Sequence, residues 1–98
     1  MKRFEVEFRK DLYWIVSFAR SKRKHMFSYE GKVHISRNRT AEPNQLPLFF
    51  SFRFSRTETG WGEIGELELK SQPNEDNDMV EAIKKLLIDG IKEFEGLT

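Results

Sequence analysis

The chain has two histidines, His25 and His34, the residue type most often used for acid–base catalysis near neutral pH. His25 ends a run of basic residues, and His34 lies at a polar position of an alternating segment. Neither lies in a motif that pairs it with a nucleophile or with other metal ligands. We therefore predict that both are surface residues and that the chain has no catalytic residue.

The acidic residues and glycines of the second half do not form a recognisable ion or phosphate site. The acidic segment 75–78 leads into a predicted helix, whose N-terminus stabilises negative charge, and it lacks the spacing and turn glycine of a calcium loop. The glycines of segment 60–65 are followed by a predicted strand and not by the Lys-Ser/Thr of a phosphate loop. The chain has no cysteine, so thiolate nucleophiles and disulfides are excluded. No metal, no cofactor and no enzymatic activity are expected.

Basic and aromatic residues give the stronger functional signal. Four cations lie in one predicted connection, 20–25, and a further set alternates onto one sheet face. The predicted binding residues are Arg20, Lys22, Arg23, Lys24, Tyr13, Phe49, Arg53 and Trp61, with Tyr29 expected nearby. Rings that stack on bases, among cations that follow phosphates, are typical of single-stranded nucleic-acid binding.

The same surface also suits a protein partner. Outward aromatic residues are typical of interfaces, and here they would serve an inhibitor, an adaptor or a homodimer seam. They could also form a second small core beneath the polar loop 38–46. We favour a non-enzymatic protein-binding domain and keep single-stranded DNA or RNA binding as the alternative.

Charge is distributed unevenly along the chain. Residues 1–56 carry 13 basic and 5 acidic residues, and residues 57–98 carry 4 basic and 11 acidic ones. Such asymmetry favours an anionic partner or self-association, unless the two halves neutralise each other within the fold. No apolar run approaches the roughly 20 residues that span a bilayer, and no signal-peptide pattern follows Met1. A cytoplasmic protein without a membrane partner is the simplest expectation.

Hydrophobic alternation predicts five strands, at 3–9, 12–20, 25–37, 47–56 and 63–70. Phe4, Val6 and Phe8 lie on one face of the first strand. In the second strand the opposite face, Tyr13 to Ala19, is apolar enough to require a cover. Glu30-Gly31 is expected to form a turn or bulge within the third segment, and Gly65 to form a bulge in the last.

The fourth strand shows the clearest pattern. Leu48, Phe50, Phe52 and Phe54 are expected to point inward, and Phe49 and Arg53 outward. A helix over 78–95 follows, with an apolar stripe at spacings of three and four residues and with Asn77 or Asp78 as its N-cap. Gly90 falls within that stripe, which predicts that a large ring from the sheet packs against the helix backbone.

Strands first and a helix last, joined by short links, predict a single α+β domain over 1–98. Its architecture is an antiparallel meander sheet of about five strands, with the C-terminal helix packed on one face.

Residues 46–95 resemble the single-stranded DNA-binding domain of the positive-cofactor-four type in their order of elements. The matching segments are Phe50-Ser51-Phe52-Arg53, the glycine turn at Gly60 and Gly62, and Gly65-Glu66-Leu67-Glu68-Leu69 running towards the helix. In that family a curved sheet binds DNA and the helices pair two subunits, so the resemblance implies DNA binding and a dimer. Glu66 stands where the family tends to have a lysine, and the N-terminal strand has no counterpart there.

Overall fold

A computed structural model of the chain describes residues 2–58, 67–70 and 77–96. The strands are β1 (Lys2–Arg9), β2 (Leu12–Arg23), β3 (Met26–Ser36), β4 (Leu48–Thr57) and β5 (Glu68–Lys70), and the helix is α1 (Asn77–Phe94). The expected bulge at Gly65 lies outside the described residues, as does Trp61, and the side chains at the start of α1 are likewise not described.

The strands of the described residues form one antiparallel sheet in the order β1-β2-β3-β4-β5. Each strand pairs with its neighbour in the chain, as a meander requires, because the links between them are short. The predicted α+β fold, with an antiparallel sheet and one C-terminal helix, is confirmed.

One face of the sheet, here called the inner face, packs against α1. The cross-strand rings of Trp14, Phe18, Phe50 and Phe52 form its centre, and the helix contributes Ile83, Leu87 and Ile91 at the spacing of one helical stripe. Aromatic edge-to-face contacts run through this layer, for example between Trp14 and Phe50 at 5.6 Å. The expected inward set of β1 is confirmed, since Phe4, Val6 and Phe8 pack against this core.

α1 approaches the sheet closely at Gly90. A β-carbon added to Gly90 would lie 2.8 Å from Cε2 of Phe4, closer than carbon atoms normally pack. The ring of Phe4 also stacks on Phe94, at 5.5 Å between centroids. The predicted contact between a sheet ring and the backbone at Gly90 is confirmed.

β3 is more regular than predicted. The expected turn or bulge at Glu30-Gly31 is wrong, because both residues keep unbroken register with β2 and with β4. A β-carbon on Gly31 would collide with the Ser17 carbonyl oxygen and would lie 2.7 Å from the Phe18 β-carbon. The glycine therefore serves close approach of two strands within the sheet.

β4 contains an irregularity that the alternation pattern did not place. The register shifts between Val33 and His34, which pair with Phe50 and Leu48, so Phe49 is an extra residue. Phe49 consequently turns to the inner face, 6.1 Å from the Trp14 ring. Leu48 is 43% exposed opposite His34. The expectations of Leu48 inward and Phe49 outward are both wrong.

The predicted basic connection 20–25 is mostly strand. β2 continues to Arg23, and the turn consists of Lys24 and His25, with Lys24 at a φ of 57°. Alternation carries Arg20 and Lys22 to the inner face, where both cations lie over the Phe27 ring at 5.4 and 5.5 Å. The Phe27 ring accommodates the aliphatic stems and the charges of Arg20 and Lys22. β2 can therefore continue through the basic run.

Candidate binding furrow on the outer sheet face

The outer face, opposite α1, is lined along its middle by small side chains. By register these are Ser17, Ala19 and Ser21 of β2, Ser28 of β3, and Ser51 and Ser55 of β4. Longer polar side chains normally cover the solvent side of a sheet. Small residues on adjacent strands instead leave a depression between the flanking structures.

This depression consists of two adjoining clefts of about 820 and 410 Å³. They share Ala19, Glu30, Arg53 and Glu68, so they form one continuous furrow, named the outer furrow below. Along β3 it extends from His34 to Ser28, which is about 20 Å at roughly 3.3 Å per strand residue. Gly31 also lines the larger cleft.

The loop between β3 and β4 walls one end of the outer furrow. Glu42, Pro43 and Asn44 line the larger cleft, and residues Pro43–Gln45 form a 3₁₀ turn. Arg3 Nη2 donates a hydrogen bond of 2.9 Å to the Arg39 carbonyl oxygen, which ties the loop to β1. This long-range bond holds the loop over the outer face.

The loop is also braced internally. The Ser36 hydroxyl donates to the Asn38 carbonyl oxygen at 2.8 Å and accepts from the Asn38 N–H at 2.9 Å. The Asn38 side-chain oxygen accepts from the Thr40 N–H at 3.0 Å, as in an Asx turn. Ile15 lies on the outer face by register, yet it is 0% exposed. The expected cover over this side of β2 is therefore confirmed at Ile15, whereas Ala19 on the same side is exposed.

The charges of the outer furrow are of both signs. Arg53 Nη2 lies 3.3 Å from Glu30 Oε1, and Glu68 stands next to Arg53 in the β4–β5 register. Lys32 lies between Ser17 and Ser51 and makes no ion pair with any residue in the described part of the chain. The furrow therefore combines a compensated pair with one cation flanked by hydroxyl groups.

His34 lines the same cleft beside the loop. Its Nδ1 is buried and has no hydrogen-bond partner among the described residues. Burial, and secondarily the charge of Lys32, lower the pKa of His34 below its ordinary value. The imidazole beside the loop is therefore neutral near pH 7.

Two of the predicted binding residues, Arg20 and Lys22, are engaged on the other side of the sheet. Arg20 Nη1 lies 3.2 Å from Glu95, just beyond α1. Lys22 Nζ lies 2.7 Å from Glu58, and this hydrogen bond, with one from His25, lowers the Glu58 pKa. These pairs, together with the Lys2–Glu95 contact, join the basic first half of the chain to the acidic second half.

Four other predicted residues are near or on the outer face. Arg53 lies in the outer furrow, whereas Arg23 and Lys24 are exposed at the far end of the hairpin. Tyr13 is on the outer face but half-buried, with the Arg39 guanidinium 5.9 Å from its ring. The charge of Glu7, its cross-strand neighbour, is the largest of the effects that raise the Tyr13 pKa.

The remaining rings do not join this set. Phe49 packs on the inner face, and Tyr29 is fully buried there, 4.8 Å from Phe54 and bonded to Arg56. Trp61 is outside the described residues. Among the described aromatic residues that were predicted for the outer face, only Tyr13 is placed there.

Sequence reasoning missed the small residues of the furrow, because a serine or alanine at an outward position carries no chemical signal by itself. The signal that could have identified the furrow is the alignment of these small residues across neighbouring strands. Ser17 and Ser51 flank Lys32, and Ser21 and Ser55 flank Ser28, once the hairpin registers are known. Those registers depend on a two-residue turn at Lys24 and on the bulge at Phe49, neither of which the alternation pattern revealed.

The chain matches no protein-family model, no curated protein and no solved structure. Within residues 2–58, 67–70 and 77–96, no helix has the length and hydropathy needed to cross a membrane. The same residues contain no cluster of three or more histidine, cysteine or acidic side chains able to hold a metal ion.

Proposed function

We propose that this chain is a non-enzymatic binding domain that holds an extended segment of a partner protein in the outer furrow. The supporting observation is the continuous furrow itself, which runs along the strands and is lined with small side chains. The larger cleft, at about 820 Å³, is near the upper end of the range for ligand sites, and the second cleft lengthens it. A site that extends along the strands suits an extended chain better than a compact molecule. A cytoplasmic location stays part of this proposal.

Small floor residues also suit recognition of a peptide backbone. Ser17, Ser28, Ser51 and Ser55 offer hydroxyl groups that can donate or accept hydrogen bonds. They leave room for a partner backbone to approach the sheet, while the loop residues Glu42 to Asn44 supply a wall at one end.

The test is selection of binding peptides from a random displayed library on the immobilised full chain. Ser51→Phe would fill the furrow without placing an unfavourable residue in the strand. Arg9→Phe adds the same ring to an exposed strand position outside the furrow. We expect selected peptides to bind the unmodified chain and Arg9→Phe, and to lose binding to Ser51→Phe. Peptides that bind all three proteins equally, or failure to select any peptide, would contradict the proposal.

Single-stranded nucleic acid is the second candidate. Exposed Arg23 and Lys24 at the hairpin tip favour it. The lining of the outer furrow does not favour nucleic acid, because its described residues include Glu30, Glu42 and Glu68 but only two cations. A nucleic-acid backbone carries a negative charge at every nucleotide. Arg20 and Lys22 are moreover paired with carboxylates.

Fluorescence anisotropy with labelled single-stranded DNA, RNA and duplex DNA distinguishes the two candidates. Binding that weakens with added salt and is lost in Arg23→Glu combined with Arg53→Glu would support nucleic acid as the ligand. Absence of binding at low salt would remove this candidate and with it the functional part of the family resemblance.

A further inference from the structure

We propose that the partner segment places a single carboxylate on Lys32 in the outer furrow. This inference rests on the proposed function, which it deepens by naming the chemical class of the ligand. It is carried by one cross-strand row and by the distribution of ion pairs around it.

The row crosses four strands of the sheet. Arg3, Ser17, Lys32 and Ser51 are successive register partners from β1 to β4, all on the outer side. These four positions hold two cations, two hydroxyl-bearing residues and no carboxylate. Neighbouring strands are about 4.8 Å apart, so Lys32 has a serine at that spacing on each side.

Lys32 is the cation of this row that is available at the centre of the cleft. Arg3 is bonded to Glu5 at 3.2 Å and lies on β1, outside the furrow lining. Arg53, in the next row, is bonded to Glu30. Lys32 is exposed and has no acidic partner among the described residues. Its ammonium and the adjacent hydroxyl groups could all donate to one carboxylate.

The remaining charges limit the ligand to one such group. Glu42 stands on the loop wall and Glu68 at the β5 side of the furrow. A run of acidic residues, or a polyphosphate backbone, would meet both of these carboxylates. A segment with one acidic side chain, or with its own C-terminal carboxylate, would reach Lys32 without that repulsion.

The experiment extends the peptide selection with two substitutions. Lys32→Met removes the charge and keeps an unbranched side chain. Lys10→Met is the matched control, since Lys10 is an exposed lysine without an ion pair in the described part of the chain. We expect furrow-binding peptides to share one aspartate or glutamate, or to require a free C-terminus. Their affinity should fall about tenfold in Lys32→Met, as for loss of a charged hydrogen bond, and should not change in Lys10→Met.

Amidated versions of each selected peptide separate the two sources of carboxylate. Loss of binding on amidation assigns the group to the C-terminus, and retention assigns it to a side chain. Peptides that Ser51→Phe blocks but Lys32→Met does not affect would overturn the carboxylate inference and leave the furrow function standing. If no selected peptide is blocked by Ser51→Phe, the furrow function itself is wrong and the inference fails with it.

Discussion

The ring of Phe4 lies directly against the backbone of Gly90, where an added β-carbon would be 2.8 Å from Phe4 Cε2. The glycine lowers intrinsic helix propensity by about 1 kcal/mol, yet it permits a close contact between α1 and the sheet. Phe4 in turn stacks on Phe94 and meets Phe18 edge to face. The contact therefore couples the N-terminal strand to the C-terminal helix.

We expect Gly90→Leu to lower the free energy of unfolding by about 2–3 kcal/mol, because the new side chain must displace the Phe4 ring or the helix. Urea denaturation followed by circular dichroism measures the change. Ala82→Leu is the control, since Ala82 is exposed on the same helix and should change stability by only about 0.5 kcal/mol or less. Phe4→Ala should recover part of the Gly90→Leu loss in a double mutant. A neutral Gly90→Leu would show that the helix is oriented differently.

Glu95 joins the two charged halves of the chain through two cations. Its side chain is 6% exposed and lies 3.0 Å from Lys2 and 3.2 Å from Arg20. We expect Glu95→Gln to lower the free energy of unfolding by about 1–2 kcal/mol. Breaking a fully buried pair would lower it more, because here both cations remain partly solvated. Glu93→Gln, at an exposed position, should cost far less. The difference in free energy of unfolding between Glu95→Gln and Glu93→Gln should become smaller in molar salt. Equal free energies of unfolding for the two variants at low salt would contradict the prediction.

Lys24 adopts a left-handed backbone in the β2–β3 turn, with a φ of 57°. That conformation is unfavourable for a residue with a β-carbon and costs glycine little. We therefore expect Lys24→Gly to raise the free energy of unfolding by about 0.5–1 kcal/mol. His25→Gly, at the other turn position, which lacks a positive φ, should instead lower it. Thermal or urea denaturation measures both changes in the free energy of unfolding. A lower free energy of unfolding in Lys24→Gly would contradict this turn geometry.

His34 makes the stability depend on pH. Because burial and Lys32 lower its pKa in the folded chain, the unfolded chain takes up the proton more readily. The contribution of His34 is therefore complete above the unfolded pKa of about 6.5 and declines as the pH falls below it. We expect the unmodified chain to lose more stability between pH 7.5 and pH 5 than His34→Gln does. A His34 ring that titrates by NMR at or above the ordinary pKa would contradict this.

The parts of the fold that follow from local pattern were predictable. The sequence of β1 alternates regularly from Arg3 to Glu7, so the positions of Phe4 and Val6 followed directly from a period of two. The stripe of Ile83, Leu87 and Ile91 followed from the helical period, and the glycine within it pointed to a close contact.

The errors arose where the residue types did not determine which side of the strand each residue faces. Leu48, Phe49 and Phe50 are consecutive apolar residues, so alternation alone cannot decide which of the first two turns inward. The β4 bulge decides it, and bulges depend on pairing with a partner strand. In the same way, a basic run resembles a loop until Phe27 is known to lie beneath it.

The candidate site was predictable only in part. Arg53 was expected on the outer face and lies in the furrow, but the furrow results from small residues and from a loop held by a hydrogen bond between Arg3 and Arg39. That bond joins residues 36 positions apart. No local pattern predicts such a contact, so the wall of the site required the three-dimensional structure.

The order of elements in the meander also has a consequence for synthesis of the chain. β1 to β4, with their aromatic inner face, leave the ribosome before α1, which is the helix that covers that face. At 5–20 residues per second, the interval from Thr57 to Phe94 is roughly 2–7 seconds. During that time the rings of Phe18 and Phe52 lack their helical cover. They form an exposed apolar surface that chaperones and other nascent chains can bind. Fragments that stop before residue 77 should accordingly accumulate as aggregates.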